Sequence, residues 1–298
     1  MVDFYNSHSA LINFMGINAL LGLSLFFTLS AGQLSLANGA FMGIGAYTAA
    51  LLTIKADFPF LMALLGGMIL PAVIAIPIGL PILRLRGVYM AIATIAFGEV
   101  VRIVALNLSI TGGALGLSGI PAKTALWQIV LAVIGVLYLL WRMRESRMGK
   151  AFAAIREDEA AARTMGIDTT RYKLIAFTMG AAVAGLAGGL SAHFLFFISP
   201  NDYGFSRAVD ILVYAIVGGV ASFIGPVVGA WLITLIPEFI RNVRPFGVEP
   251  GPAALFVNGA VLLLVMLFLP NGLVSLGSEG RRRLRGMKRR NNVDPAQA

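Results

Sequence analysis

Residues 208–241 read AVDILVYAIVGGVASFIGPVVGAWLITLIPEFIR, 34 residues of almost unbroken apolar chain. An α-helix rises about 1.5 Å per residue, so about 20 residues cross the hydrocarbon of a bilayer. This stretch is too long for one crossing, and Gly218, Gly219, Gly225 and Pro226 interrupt it near its middle. It therefore reads as two short helices, 208–223 and 226–241, which either both cross or form a re-entrant hairpin.

Outward from it, further apolar runs of spanning length occupy 10–30, 34–54, 60–83, 87–108, 124–141, 173–195 and 253–269. Lys and Arg then set the orientation, because cytoplasmic loops carry the excess of both. Eight lie in 142–173 (Arg142, Arg144, Arg147, Lys150, Arg156, Arg163, Arg171, Lys173) and seven in the tail (Arg281, Arg282, Arg283, Arg285, Lys288, Arg289, Arg290). Arg84 and Arg86 share a short turn. With nine crossings and the N-terminus outside, all three groups fall on the cytoplasmic side, 17 of the 23 basic residues. The outer loops keep Lys55, Lys123, Arg207, Arg241 and Arg244. A single crossing through 208–241 would put the basic tail outside, so charge placement itself favours dividing that segment.

Composition points the same way. The 298 residues are 58% hydrophobic and 12% charged, with mean hydropathy +0.85, about half the charge of a soluble domain. So little polar surface suits a lipid-facing exterior. The net charge of +9 resides between apolar runs and in one tail, which is an orientation pattern rather than a nucleic-acid groove. The absence of cysteine excludes disulfides, thiolate catalysis and Cys-based metal sites. His8 and His193 show no ligand spacing and read as interfacial or packed histidines. The N-terminus MVDFYNSHSA lacks the basic region of a cleavable signal, so the first apolar run is expected to remain as a span.

Two Gly-interrupted segments repeat a spacing. Gly32, Gly39 and Gly43 in AGQLSLANGAFMGIGAYTAALL are spaced as Gly218, Gly225 and Gly229 are, 186 residues later. Paired broken helices in two halves of a chain point to transporters, whose unwound backbone can touch a solute. Gln33, Ser35, Asn38 and Gly39 on one side, with Gly218, Gly219 and Gly225 on the other, are candidate pathway residues. Close helix packing is the other reading of these glycines. Glu99 and Arg102 lie three apart within an apolar span, so they share a helix face and can pair. They read either as pathway residues or as a salt bridge pinning helices together. Asp210 and Glu238 sit near span ends and read as interfacial.

The segment 149–177, GKAFAAIREDEAAARTMGIDTTRYKLIAF, is polar and flanked by spans. Its acidic turn Glu157–Asp158–Glu159 suits a helix N-terminus, Ala160, Ala161 and Ala162 favour helix, and Gly166 suits a stop. One short helix over 153–168 is expected, with Arg156 and Met165 within it. Its small side chains suit insertion into a groove on a partner, or folding back on the bundle.

EDEAAARTMGID resembles the EAA loop of ABC-importer permeases, the element that docks into their ATPase subunits; Ala161, Ala162 and Gly166 match the alanine pair and glycine of that motif. GQLSLANGAFMGIGAYTAALL, RLRGVYMAIATIAFGEVVRIV, TGGALGLSGIP and KLIAFTMGAAVAGLAGGL, in that order, resemble the LivM-type permeases of branched-chain amino-acid importers. The resemblance runs over about residues 30–275. It implies a multi-pass protein of a prokaryotic inner membrane. It also implies a second, LivH-like permease or a second copy, two ABC ATPase subunits that hold the ATP, and a soluble solute-binding protein. No G-x-x-x-x-G-K-[ST] phosphate loop is present, GMKRR at 286–290 is only a charge run, and no catalytic constellation stands out. The chain is thus expected to be a transporter subunit, not an enzyme, with no cofactor of its own.

The expected fold is an all-α membrane bundle of 8–10 helices with discontinuous Gly-rich segments. It comprises a permease domain over 1–275, holding the coupling loop 142–172, and a basic cytoplasmic tail over 276–298. The expected cargo is leucine, isoleucine and valine. Permeases for urea, amides or other amino acids, and a stand-alone secondary carrier, are the alternatives.

Overall fold

The computed structural model describes residues 2–85, 87–220 and 222–243. Arg86, the span expected at 253–269, and the basic tail lie outside the described residues. Among the described residues ten α-helices follow in order: α1 Val2–Ser30, α2 Asn38–Lys55, α3 Phe60–Ile82, α4 Val88–Asn107, α5 Leu126–Glu145, α6 Arg147–Glu157, α7 Glu159–Thr164, α8 Thr169–Leu195, α9 Phe205–Gly218 and α10 Gly225–Val243. Two-residue strands β1, Leu117–Ser118, and β2, Phe197–Ile198, pair antiparallel. Among the described residues five helices are long and apolar enough to cross a membrane: α1 from Ser9, α3, α4, α5 and α8.

Helix α8 is the axis of the bundle. Its sequence GAAVAGLAGGLSAH is nearly all small residues, and Gly180, Ala181, Ala184, Gly185, Ala187, Gly188 and Ala192 are buried. Without bulky side chains, neighbouring backbones approach closely, which is how helices pack when lipid removes the hydrophobic drive between them. Helices α1, α2 and α3 take that opportunity. The main core joins α1 (Ile17, Leu20, Leu21, Leu23) to Ile129 and Leu140 of α5, Leu190 of α8, Ile211 of α9 and Ile233 of α10. His193 is fully buried, hydrogen-bonded to Thr53 and to the Gly189 carbonyl, a packed histidine. Apolar side chains of α3, α4 and α5 such as Leu61, Val73, Ile103, Leu131 and Trp127 point outward, as a lipid-facing wall does.

Segment 208–241 is divided, as its glycines predict. Helix α9 ends at Gly218, the chain turns at Val220 and again over 222–224, and α10 begins at Gly225. Gly219 has φ +96°, in the region that favours glycine. A Cβ on Gly218 or Gly225 would strike the backbone of the other arm of the turn.

Two expectations change. The second apolar run is helical only from Asn38, and residues 31–37 are extended or turning. Helix α9 starts earlier than expected and brings Arg207, assigned above to an outer loop, inside a helix. At 14 residues and about 1.5 Å per residue, α9 is too short to cross about 30 Å alone. The 3₁₀ turn Pro200–Tyr203 precedes it.

Candidate functional site

Four constellations carry polar chemistry. The first is α6–α7. Ser146 caps α6, accepting from the Gly149 amide at 3.3 Å, and Ala151, Phe152 and Ile155 bury its apolar face. The single helix expected over 153–168 is instead two. Asp158 leaves helical geometry (φ −153°, ψ 110°) and its carboxylate accepts from the amides of Ala160 and Ala161 at 2.8 and 3.0 Å. An aspartate in that role starts a new helix, because it satisfies amides with no intrahelical partner. Gly166, at φ +81°, ends α7.

Glu159 is the internal anchor of this element. It ion-pairs with Arg163 at 2.6 Å and with Lys173 of α8 at 2.7 Å, and Thr169 donates to it at 3.2 Å. Burial alone would raise its carboxyl pKa, but the hydrogen bonds and charges of Lys173 and then Arg163 outweigh that and hold it below the usual carboxylate value. A folded pKa below the unfolded one, about 4.3 for a glutamate, means that stabilisation is complete above the unfolded value and is lost as pH falls through the folded one. Hydrogen-exchange protection of the α7 amides, corrected for intrinsic rates, should therefore hold on acidification to about pH 5 and decline only below. Glu159→Gln should remove that dependence. A decline between pH 7 and 6, or an unchanged profile in the variant, would refute the clamp.

With Glu159 turned inward, the outward face of α7 consists of Ala160, Ala161, Arg163 and Thr164, preceded by the exposed cap Asp158 and continued by Met165 and Gly166. Ala162 is buried. Met165 is 78% exposed, an unbranched apolar side chain standing free at the tip. Arg156 and Glu157 are exposed on the preceding turn, 3.8 Å apart.

The second constellation is the break before α2, which lies beside the first. The Cβ position of Gly32 (φ +71°) is 3.1 Å from the Arg156 Cα, so α6 rests against the end of α1. Gln33, Ser35 and Asn38 are all buried. The Ser35 hydroxyl accepts from the Ala37 amide, Asn38 donates to the Ser24 hydroxyl at 2.8 Å, and the Leu36 amide donates to Thr94 at 3.0 Å. Both side-chain amide atoms of Gln33 have no partner among the described residues, leaving hydrogen-bonding capacity unused in a buried place. Gly39 packs on the start of α9, its Cβ position 3.3 Å from the Ala208 nitrogen.

The third is Glu99–Arg102, paired at 2.8 Å with both side chains about one-third exposed. Arg102 also donates to Asn201 at 3.0 Å, and Glu99 accepts from the Phe205 amide at 3.3 Å. The pair thus ties α4 to the turn that launches α9, and Glu99 sits at the positive end of that helix. Gly218, Gly219 and Gly225, in the turn described above, lie apart from it.

The fourth was not recognised in the sequence. Arg207 donates to Asn18 of α1 at 3.1 Å and to the Met42 sulfur of α2 at 3.5 Å. Asn18 donates in turn to Thr234 of α10 at 3.0 Å. Asn18 lies well inside the apolar run Ser9–Ser30, so the guanidinium is within the bundle. Around it Phe14, Met42, Ser191, Leu195, Asp202, Ser206 and Asp210 line a cavity of about 310 Å³. A basic residue one turn before Asp210, just inside an apolar run, was the available signal.

A family model described as branched-chain amino acid transport system, permease component, matches residues 7–266. The high-affinity branched-chain amino acid transport system permease protein LivM of Salmonella typhimurium is 33% identical over 297 residues, covering 88% of this chain and 67% of that protein. Its Escherichia coli K12 counterpart is 32% identical with the same coverage. LivH of Escherichia coli K12, the permease protein of a high-affinity branched-chain amino acid transport system, is 32% identical over 152 residues, 51% of this chain and 47% of that protein.

Proposed function

The chain belongs to the family of branched-chain amino acid transport system permease components, and from that premise we propose that it is the membrane-spanning subunit of an ATP-driven importer of leucine, isoleucine and valine. The match along 260 consecutive positions, residues 7–266, carries this reading. The multi-pass helical bundle fits it.

In this reading α6 and α7 lie in the cytoplasm and two ABC ATPase subunits receive the exposed face from Ala160 to Gly166. ATP is bound and hydrolysed there; this chain supplies the lever. The lever is short and stiff: Glu159 fixes α7 to α8, and Gly32 seats Arg156 against the end of α1. A displacement of α7 is therefore transmitted to the bundle axis and to the break at 31–37 together. Access alternates as a population shift between two arrangements of these helices, biased by nucleotide on the partners. A LivH-like second permease completes the pathway, consistent with the likeness of this chain to LivH. A soluble binding protein delivers solute at the opposite end, where β1 and β2 pair. Gln33, with its unpaired amide, is the pathway residue of the 31–37 break. Ser35 and Asn38 hold the break open through bonds within the chain.

Reconstitution tests this directly. The chain with its partner permease, ATPases and binding protein in vesicles is expected to take up labelled leucine only with ATP and only with the binding protein. ATPase activity stimulated by a different loaded binding protein, without leucine uptake, would keep the permease and replace the cargo. Uptake by the chain alone without ATP would overturn the importer.

A further inference from the structure

A cation without a counter-ion inside a helical bundle is expensive unless something is meant to meet it. Arg207 comes close to that condition: among the described residues it makes no ion pair, and Asp210 attracts it only across the cavity. Its Nε and one terminal nitrogen are held by the Met42 sulfur and Asn18, neither of which carries charge. No carboxylate of the described residues lies within 4.0 Å of it. Asp210, one turn further along α9, and Asp202, on the preceding 3₁₀ turn, line the same cavity without pairing to it. One Asp202 oxygen accepts from the Ser199 amide at 2.9 Å, which leaves Asp210 as the less committed acid.

The cavity therefore presents a fixed guanidinium, two carboxylates of which Asp202 is already engaged by the Ser199 amide and Asp210 is not, the hydroxyls of Ser191 and Ser206, and apolar walls from Phe14, Met42 and Leu195. A lone cation or anion as ligand would satisfy one of these charges and strand the other. A zwitterion satisfies both and adds no net charge. Arginine is suited to a carboxylate because its fork offers parallel donors, and here the remaining terminal nitrogen is the one available. An ammonium group suits Asp210. An aliphatic side chain suits Phe14, Met42 and Leu195. At about 310 Å³ the space is at the lower limit of ligand cavities, about 300–1,000 Å³, the scale of one small amino acid with water.

We propose that the Arg207–Asp210 cavity between α1, α2, α8 and α9 is a zwitterion subsite that takes a free aliphatic α-amino acid on its way through the bundle, Arg207 holding the carboxylate and Asp210 the ammonium. The subsite rests on the importer reading and sharpens it: selection is made within the membrane subunit as well as on the binding protein. The Asn18–Thr234 bond connects it to α10, so occupancy is felt by that helix.

The test uses the whole importer in lipid nanodiscs with photoleucine, a diazirine analogue of leucine that keeps both charged groups. Illumination followed by peptide mapping is expected to place adducts on segments containing Phe14, Met42 or Leu195. Excess leucine should compete, whereas isoamylamine, which lacks the carboxylate, and isocaproate, which lacks the ammonium, should not. Asp210→Asn and Arg207→Lys should each lower labelling about tenfold or more, the scale of one charge-assisted hydrogen bond. Because Arg207 also braces α1, the isosteric Asp210→Asn is decisive wherever Arg207→Lys assembles poorly. ATP-dependent leucine uptake with adducts only elsewhere, or labelling indifferent to Asp210→Asn, overturns the subsite and leaves the importer standing. Absence of leucine uptake by the wild-type assembly overturns the cargo reading and the subsite together.

Discussion

Gly185→Val is expected to abolish accumulation of the folded chain, whereas Gly135→Ala is expected to leave it unchanged or slightly raised. Gly185 on α8 meets Gly45 on α2 and Gly67 on α3 in one three-helix crossing. A Cβ on Gly45 would lie 2.6 Å from the Gly67 carbonyl oxygen, and one on Gly67 would lie 2.8 Å from the Gly45 carbonyl oxygen. A Cβ on Gly185 would run into the Gly67 carbonyl and lie 2.6 Å from Pro71 Cγ. The obstacles are backbone and a proline ring, which cannot rotate aside as a flexible side chain would. Overpacking by even a methylene costs about 1–3 kcal/mol. A branched side chain driven against the Gly67 backbone and the Pro71 ring belongs at or above the top of that range, a large part of a total stability of about 5–15 kcal/mol.

The crossing also decides why α8 can be the axis at all. Each added carbon would push α2 or α3 outward along its whole length, and the buried bonds of Asn38 and Thr53 to the neighbouring helices would go with it. Gly135 on α5 has nothing within 4 Å of its Cβ position among the described residues. There alanine gains helix propensity of up to about 1 kcal/mol. Size-exclusion yield and the thermal midpoint of the detergent-solubilised importer measure both. Equal yields and midpoints for Gly185→Val and wild type would show that the helices do not cross this closely.

Much of this architecture is legible from one-dimensional patterns because those patterns report local physics. Apolar run length reports the thickness of the solvent, and a Gly-Gly…Gly-Pro interruption reports where a helix cannot continue. Hence the spans over α1, α3, α4, α5 and α8 and the division of α9 from α10 follow from residues alone. The misplacements have two causes: one local helix cap, and tertiary partners that no window contains. Asp158 breaks the expected helix because its own carboxylate offers the backbone a better start. Residues 31–37 stay unwound because Thr94 of α4 takes the Leu36 amide. Arg207 lies inside a helix because Asn18, 189 positions away, receives its guanidinium. Ala161 and Gly166 stand out in the sequence by resemblance to the motif, but the inward turn of Glu159 does not, since its partner Lys173 belongs to the next helix. The spacing shared by Gly32, Gly39 and Gly43 with Gly218, Gly225 and Gly229 does coincide with two helix–break–helix units, although the contacts of the two units differ.

The second large effect belongs to the tip of α7. Met165→Asp and Ala161→Arg are expected to lower ATP-dependent leucine uptake about tenfold or more, and to reduce co-purification of the ATPase subunits, without lowering the thermal midpoint of the permease. Met165 is 78% exposed and Ala161 faces outward beside it, and surface changes of this kind alter stability by about 0.5 kcal/mol or less. In a docked interface the same changes bury an unpaired charge or a bulky cation against a partner's groove. Central apolar anchors carry about 2 kcal/mol or more, enough for the expected loss. Two superficially equivalent substitutions would not separate docking from folding. Glu159→Arg removes the anchor of Lys173 and places a third cation beside Arg163. Gly166→Trp forces a side chain onto φ +81°, a strain of about 1–2 kcal/mol, whatever a partner does. Met165→Asp alters only what α7 shows to the outside. Wild-type uptake together with wild-type co-purification in both exposed variants would mean that the motion of the ATPases enters the bundle elsewhere.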